Sequence, residues 1–332
     1  MHRSAPRKLH VHIVQPPPSG ALGILETLLD PAVELSLGPD PMSTTDVLIT
    51  GRPSREQLEG CPDLRTLIVP YAGVPDETRE LLLAERAGVA VHNLHHNAAA
   101  AAELAVALLL AAAKTIVPAD RALRRGDWRT RYDGAPTLIL AGKTALLLGL
   151  GAIGSRVASV CHALGMEVHA VRRRTDRPHP PHVEVHPSGA LSDLLPCADA
   201  LLVCLPLTPD TRGLIGAREF ELLRPSAILV NVARGAIVDE AALYHALAGG
   251  RLAAAGIDVW YRYPPTPEER ANTAPSGYPF HELDNVVMSP HRGGAFRTEE
   301  LEERRMRDLA TSLNAAARGE SIPHPVDLAA GY

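Results

Sequence analysis

The sequence predicts an α/β protein made of two doubly wound parallel-sheet domains. Three observations carry that prediction. Short apolar runs of strand length alternate with helical stretches along most of the chain, and short connections between them mean parallel βαβ units. At 332 residues the chain exceeds one domain of ordinary size. Between residues 142 and 156 a strand runs into a glycine-rich turn and then a helix. There, Thr144–Leu148 is apolar, glycine recurs at Gly149, Gly151 and Gly154, and Ile153, Val157, Ala158, Val160 and Cys161 follow at helical spacing.

Taken in order, residues 8–15 alternate enough for a first strand, 20–29 form a helix, and 33–37 and 47–50 are short strands. Residues 64–71 form another apolar run that opens into the loop Tyr71-Ala72-Gly73-Val74-Pro75; a helix over 77–87 and a strand over 89–93 complete a first α/β unit. Leu94-His95-His96-Asn97 leads into a helix over 98–114, in which alanine and leucine surround the single acid Glu103. Such all-round hydrophobicity predicts burial. Residues 121–133 are charged, carry Trp128 and Tyr132, and read as a surface or subunit-contact arm. After the glycine turn, strands are expected over 167–172, 198–206, 227–232, 253–259 and 286–289, with helices between them. An amphipathic helix is expected over 299–318.

Composition narrows the function. The chain is 46% hydrophobic and 21% charged with a formal net charge of -5, and only 4% of its residues are aromatic. A nucleic-acid binder carries a basic excess and stacking platforms, so none is expected. The four cysteines, Cys61, Cys161, Cys197 and Cys204, lack C-x-x-C spacing and read as reduced, buried small residues. The N-terminal stretch has no long apolar core, so no secretory signal is expected. The apolar run over 98–113 contains Glu103 and falls short of the ~20 residues a membrane span needs. A cytoplasmic protein without membrane partners is therefore expected.

The glycine turn has the G-x-G-x-x-G pattern in the context that pattern requires. Gly149 permits the tight turn, Gly151 lets the backbone approach a pyrophosphate, and Gly154 lets the helix pack against the strand. The helix N-terminal amides then point at the anion. An acidic residue at the end of the following strand would bond a ribose diol, but here that place holds Arg172, with Arg173 and Arg174 behind it. Arginine cannot accept ribose hydroxyls but can clamp a 2′-phosphate, so NADP is expected in preference to NAD. The plain alternative is a solvated basic strand end, with Asp176 the nearest acid.

Two further strand ends carry chemistry. Asn231-Val232-Ala233-Arg234-Gly235 places an arginine at the carboxyl edge of the sheet, where ligands bind in open parallel sheets. There it can hold a carboxylate and polarise an adjacent carbonyl. Ser289-Pro290-His291-Arg292-Gly293 places a histidine at the next such edge, suited to give a proton to an oxygen whose carbon receives hydride.

In series, these residues resemble the D-isomer-specific 2-hydroxyacid dehydrogenase family. The resemblance spans nearly the whole chain, through Gly149–Gly154, the segment Leu205-Pro206-Leu207-Thr208-Pro209-Asp210-Thr211-Arg212-Gly213, residues 231–239, Gly256-Ile257-Asp258-Val259 and Ser289-Pro290-His291. It implies two Rossmann-like/flavodoxin-like domains, the dinucleotide-binding one over 97–294 and a discontinuous substrate-binding one over 1–96 plus 295–332. The C-terminal helix would pack back on the N-terminal unit, closure would hinge near Asn97 and Gly294, and the protein would be a homodimer. Residue by residue, it implies that Arg234 binds the carboxylate and carbonyl of a 2-oxo acid and that His291 is the acid/base. Ala152 and Ile153 would hold the pyrophosphate. Asp258 would hold the nicotinamide end, and Leu205, Pro206 and Ala233 would line the cofactor. The backbone of Tyr71, Ala72, Gly73 and Val74 would receive the substrate carboxylate.

One position departs from the family. A glutamate that pairs with the histidine is expected just before Pro264, and Tyr263 stands there. A neutral phenol supplies no compensating charge, so His291 should titrate lower than in glutamate-bearing relatives; Glu268, Glu269 and Glu282 are the neighbouring acids able to substitute. His96, with His95, is a candidate substrate contact, the alternative being helix capping or packing. His179, His182 and His186 lie in a proline-rich segment expected to be an exposed loop without metal. The leading expectation is an NADP-preferring enzyme interconverting a 2-oxo acid and a D-2-hydroxy acid. The alternatives are a formate- or phosphite-type dehydrogenase and a non-enzymatic dinucleotide sensor.

Overall fold

A computed structural model describes residues 7–294 and 298–331. The chain divides into two compact units, Met1–Asn97 with Ala295–Tyr332, and Ala98–Gly294. The chain passes between them at Asn97–Ala98 and Gly294–Ala295.

The first unit begins with β1 (Leu9–Ile13), α1 (Ser19–Leu28), β2 (Val33–Leu37), β3 (Val47–Ile49), α2 (Arg55–Glu59), β4 (Thr66–Val69), α3 (Asp76–Glu85) and β5 (Ala90–Asn93). Its five strands are all parallel in the order β2-β1-β3-β4-β5, which is the flavodoxin-like order. Strands β3 and β4 are buried along their whole length, as expected of central strands covered on both faces. The short helix α2 has no counterpart in the sequence expectation. Its polar turns hide it, but Ser54 and Gln57 form a reciprocal capping box at its start.

The second unit opens with α4 (Ala98–Ala113), α5 (Ile116–Leu123) and α6 (Arg129–Tyr132), then β6 (Thr144–Leu148), α7 (Ala152–Ala163), β7 (Glu167–Val171) and β8 (Glu184–His186). It continues through α8 (Leu191–Leu194), β9 (Ala200–Val203), α9 (Ala217–Leu222), β10 (Ile228–Asn231), α10 (Glu240–Ala248), β11 (Ala254–Ile257) and β12 (Val286–Met288). Seven parallel strands lie in the order β12-β11-β10-β9-β6-β7-β8. The winding reverses between β6 and β9, so the carboxyl ends of these strands form a switch-point crevice. Helix α4 packs its buried face, including Ala105, Leu108, Leu109 and Ala112, into a core shared with β6, β9 and β10. No single helix among the described residues is long and apolar enough to cross a membrane.

The chain then returns to the first unit as α11 (Glu299–Arg318). Met306, Leu309, Ala310 and Leu313 join Val11, Ile13, Leu25 and Ile49 in one core. Asn314 ties the helix to the turn after α1, donating to the Leu28 carbonyl (2.9 Å) and accepting from the Asp30 amide (2.8 Å). Thr298 caps its start, and Gly319, at φ +69, ends it in the left-handed conformation.

The charged stretch over 121–133 ends α5 and contains α6, with Trp128 and Tyr132 exposed. Two expectations need correction. The proline-rich segment is not loop throughout: Glu184–His186 pairs with β7 as an edge strand, because the prolines stop just before the alternating Val183 and Val185. Only Cys61 and Cys161 are buried; Cys204 is half-buried, and Cys197 is exposed in the one-turn 3-10 helix Leu195–Cys197, just before β9.

Candidate active site

The glycine turn follows β6, and its three glycines have different reasons to lack a side chain. Gly149 has φ +93, and a Cβ there would lie 2.9 Å from the Leu205 backbone. At Gly154 a Cβ would lie 2.2 Å from the Gly149 carbonyl oxygen, so α7 is seated against the turn. At Gly151 a Cβ would meet nothing within 4 Å. The chain itself leaves that space open at the helix N-terminus, where Ala152 and Ile153 form the first turn of α7. An anion is recognised at such a terminus by unpaired amides, so the turn fits a dinucleotide pyrophosphate. On its far side Leu205 and Pro206 follow β9. The Thr211 hydroxyl donates to the Pro206 carbonyl (2.8 Å) and accepts from the Thr208 amide (2.7 Å), which fixes that loop.

Strands β10, β11 and β12 deliver the remaining groups at their carboxyl ends. After β10, buried Asn231 staples the turn. Its amide donates to the Arg234 carbonyl (3.0 Å) and its oxygen accepts from the Ala233 amide (3.1 Å). Arg234 is exposed and uses one guanidinium donor on the Ala233 carbonyl (2.7 Å). Gly235 lets this turn cross the Trp260 backbone, since a Cβ would lie 2.4 Å from the Trp260 oxygen.

After β12, His291 has φ +57, a left-handed conformation rare for a side-chain-bearing residue. Asp258 holds it there. The buried Asp258 carboxylate accepts from the Ser289 hydroxyl (2.5 Å) and from the Arg292 (2.7 Å) and Gly293 (2.9 Å) amides. Asp258 therefore fixes the His291 turn of its own chain, a role not expected from the sequence, where it was assigned only to the nicotinamide end.

Tyr263 sits at the side of the His291 ring, its hydroxyl 2.9 Å from Nδ1. The Trp260 amide donates to the same hydroxyl (3.1 Å), and the Trp260 indole donates to the Ser289 carbonyl (2.8 Å). Trp260 thus joins the Arg234, Tyr263 and His291 turns. No motif marks it; its place just after Asp258 is the only signal. The neighbouring acids are occupied elsewhere. Glu269 accepts from Thr266 (3.5 Å), Glu268 bonds its own backbone and Thr266, and Glu282 lies beside His281 (3.9 Å).

This setting holds the His291 pKa below the ordinary histidine value. Desolvation by the surrounding protein is the largest cause and the Arg234 charge the next, while Asp258 pulls the other way. Tyr263 is itself pushed up, chiefly by desolvation, so it stays a neutral phenol. A phenol can give its proton to a neutral Nδ1 or accept one from a protonated ring. It therefore orients the ring without favouring the imidazolium.

At the ribose end, β7 is followed by Arg172 and Arg173. The Arg172 guanidinium turns into its own loop, donating to the carbonyls of Thr175 (3.3 Å), Pro178 (3.4 Å) and Arg177. Arg172 thus braces this loop, while Arg173 and Arg174 are exposed on it.

The first unit holds the other expected residues. The loop Tyr71–Val74 lies between β4 and α3. The Asn93 amide holds its Ala72 carbonyl (2.6 Å), and the Tyr71 phenol covers Gly51, where a Cβ would collide with it. His96 is half-buried, and its Nδ1 has no hydrogen-bond partner among the described residues. Burial, Arg305 and His95 hold its pKa down to about 4, so it is neutral near pH 7.

Residues 106–293 match the family model for the NAD-binding domain of D-isomer specific 2-hydroxyacid dehydrogenases. A glyoxylate reductase of Aeropyrum pernix is 38% identical over 321 residues, covering 94% of this chain and 87% of the relative. A D-3-phosphoglycerate dehydrogenase of Archaeoglobus fulgidus is 35% identical over 301 residues, covering 84% of this chain; the chain spans 54% of that relative's length. A solved D-isomer specific 2-hydroxyacid dehydrogenase of Xanthobacter autotrophicus, in complex with NADPH and MES, superposes with a TM-score of 0.79. It is 25% identical and covers 98% of this chain and 100% of its own.

Proposed function

The chain belongs to the D-isomer specific 2-hydroxyacid dehydrogenase family, and on that premise we propose that it reduces a 2-oxo acid to the D-2-hydroxy acid, with NADPH preferred. The observation that carries this reading is the joint placement of Arg234 and the Tyr263-tethered His291 at the carboxyl ends of β10 and β12, on either side of β11 in one parallel sheet.

Arg234 binds the substrate carboxylate and polarises the 2-oxo group, its planar donors matching a carboxylate. His291 keeps Nδ1 against Tyr263 and presents Nε2 to the oxo oxygen. In reduction, carbon 2 gains a hydride, the oxo oxygen gains the Nε2 proton, and the ring is left neutral. In the reverse direction the neutral ring takes the hydroxyl proton. The bound nicotinamide supplies or accepts the hydride; the protein supplies orientation and charge.

Gly149, Gly151, Ala152, Ile153 and Gly154 hold the pyrophosphate, and Leu205, Pro206 and Ala233 line the cofactor. Asp258, with one acceptor position on Oδ2 unused by the His291 turn, lies at the nicotinamide end. Arg173 is the principal 2′-phosphate contact, on a loop shaped by Arg172. The backbone of Tyr71, Ala72, Gly73 and Val74, with His96, contributes to substrate binding. The protein acts in the cytoplasm as a homodimer, for which the exposed Ile116, Leu123, Trp128, Tyr132 and Ile139 offer an apolar surface.

The test is oxidation of NADPH and NADH by purified protein with glyoxylate, hydroxypyruvate, pyruvate and phenylpyruvate. Turnover that favours NADPH and disappears in His291→Ala is expected. Tight NADPH binding with no turnover on any acid would overturn the reductase reading in favour of a sensor or another hydride donor.

A further inference from the structure

We propose that His169, Glu184 and His186 form a binding site for a divalent first-row transition metal of the zinc class. The site lies at the outer edge of the seven-stranded sheet, in residues that take no part in the hydride transfer proposed above. Strands β7 and β8 pair in parallel with His169 opposite Glu184 and Val171 opposite His186. Alternate residues of a strand share a face, so the three side chains stand on one side of the sheet edge. Val168, Ala170 and Val185 turn to the core on the other. The sequence alone suggested no metal here, because the third ligand comes from the neighbouring strand and not from the histidine-rich segment.

The donor atoms already have the spacing of a coordination triangle. His169 Nδ1 lies 3.0 Å from His186 Nε2. The Glu184 oxygens lie 3.7 Å from His169 Nδ1 and 3.5 Å from His186 Nε2. Ligands held tetrahedrally at zinc distances stand about 3.3–3.5 Å apart, so a cation enters with side-chain shifts of a few tenths of an ångström. Without a cation, one histidine bonds the other and the carboxylate approaches both rings without a good hydrogen bond to either. Two imidazoles and one carboxylate, with no thiolate, suit zinc, cobalt or nickel over calcium or magnesium. The histidine side chains are only 23% and 19% exposed while Glu184 is 67% exposed, so water can complete the shell from the solvent side.

Such a cation would staple a three-residue edge strand to its neighbour β7. It would also close the loop between β7 and β8, whose base is the Arg172 amide bonded to the His186 carbonyl (3.0 Å). That loop carries Arg172, Arg173 and Arg174.

The test uses untagged, chelator-treated full-length protein titrated with Co(II), whose visible absorption reports tetrahedral nitrogen and oxygen ligation. One equivalent per chain, displaced by Zn(II), is expected, together with a Zn(II)-dependent rise in Tm. His169→Gln and His186→Gln should each weaken binding by more than about tenfold and abolish the Tm rise. Glu184→Gln, an exposed change that leaves the strand pairing intact, should weaken it as well. His162→Gln, in the separate stacked pair with His182, should change nothing. Absence of stoichiometric binding, or binding that survives all three ligand substitutions, overturns the proposal.

Discussion

The two units put functional groups in place by different means. In the second, the Arg234 and glycine turns are held by residues within them, and a single buried carboxylate after β11 holds the His291 turn. Asn231 bonds both sides of the Arg234 turn, Asp258 gathers three donors around His291, and Gly154 seats α7 on Gly149. In the first, the loop Tyr71–Val74 has no such local clamp. Its shape depends on Asn93 from the next strand and on Gly51 beneath Tyr71. The second unit writes its chemistry into short motifs at strand ends, and the first spreads it through tertiary contacts. The units should therefore respond differently to substitution.

The largest effect is expected where the proton moves. His291→Ala should lower kcat for oxo-acid reduction by about 10²–10⁴-fold, the usual contribution of a positioned acid/base, while NADPH affinity stays within about twofold. Retained turnover in that variant would place the proton donor elsewhere. Next come the glycines, which separate folding from binding within one turn. Gly154→Ala forces a Cβ against a backbone oxygen and should cost about 1–3 kcal/mol of stability, as overpacking does. Gly151→Ala meets open space at an ordinary φ of -91, so it should leave Tm unchanged and weaken NADPH binding at least about tenfold. Equal Tm losses in the two variants would show that Gly151 is structural.

This contrast explains what was legible in the sequence. Strand and helix alternation marked both sheets because β3, β4, β9 and β10 are buried runs, apolar but for Thr66 and Asn231 at their ends. The G-x-G-x-x-G turn, Arg234 and His291 were legible because strand, turn and ligand group are contiguous. Trp260 and Asn93 were not, since their roles lie in partners far along the chain: Ser289 for one, Ala72 for the other. Strand β8 was hidden by the prolines before it. The inward turn of Arg172 depends on carbonyls of a loop whose path no local pattern predicts.

Tyr263 sharpens the comparison within the second unit, because it stands 2.9 Å from His291 Nδ1 where the family resemblance implies a glutamate. With the His291 pKa already lowered, oxo-acid reduction should fall as pH rises through a value below 6.5. Tyr263→Glu puts a negative charge beside Nδ1 and should move that limb upward by about one pH unit, equal to ~1.4 kcal/mol of preference for the imidazolium. Tyr263→Phe removes the hydroxyl without adding charge, and should lower kcat while leaving the limb below neutrality. A limb that stays put in the glutamate variant would mean that another group sets it.

The last expected effect belongs to the first unit and is read as stability. Burial and neighbouring cations bring His95 and His96 down from 6.5 to about 4, and burial lowers His92 as well. Between about pH 4 and 6.5 the unfolded chain therefore binds protons that the folded histidines refuse. Stability rises with pH across that window and is lost as acid is added. Thermal unfolding at pH 7 and pH 4.5 should show the decline, and His95→Gln with His96→Gln should flatten it by removing both titrations. An unchanged slope in the double variant would place the acid sensitivity in other groups. It would also separate the packing of these histidines from any contact His96 makes with substrate, which a change in KM for the oxo acid at pH 7 would report.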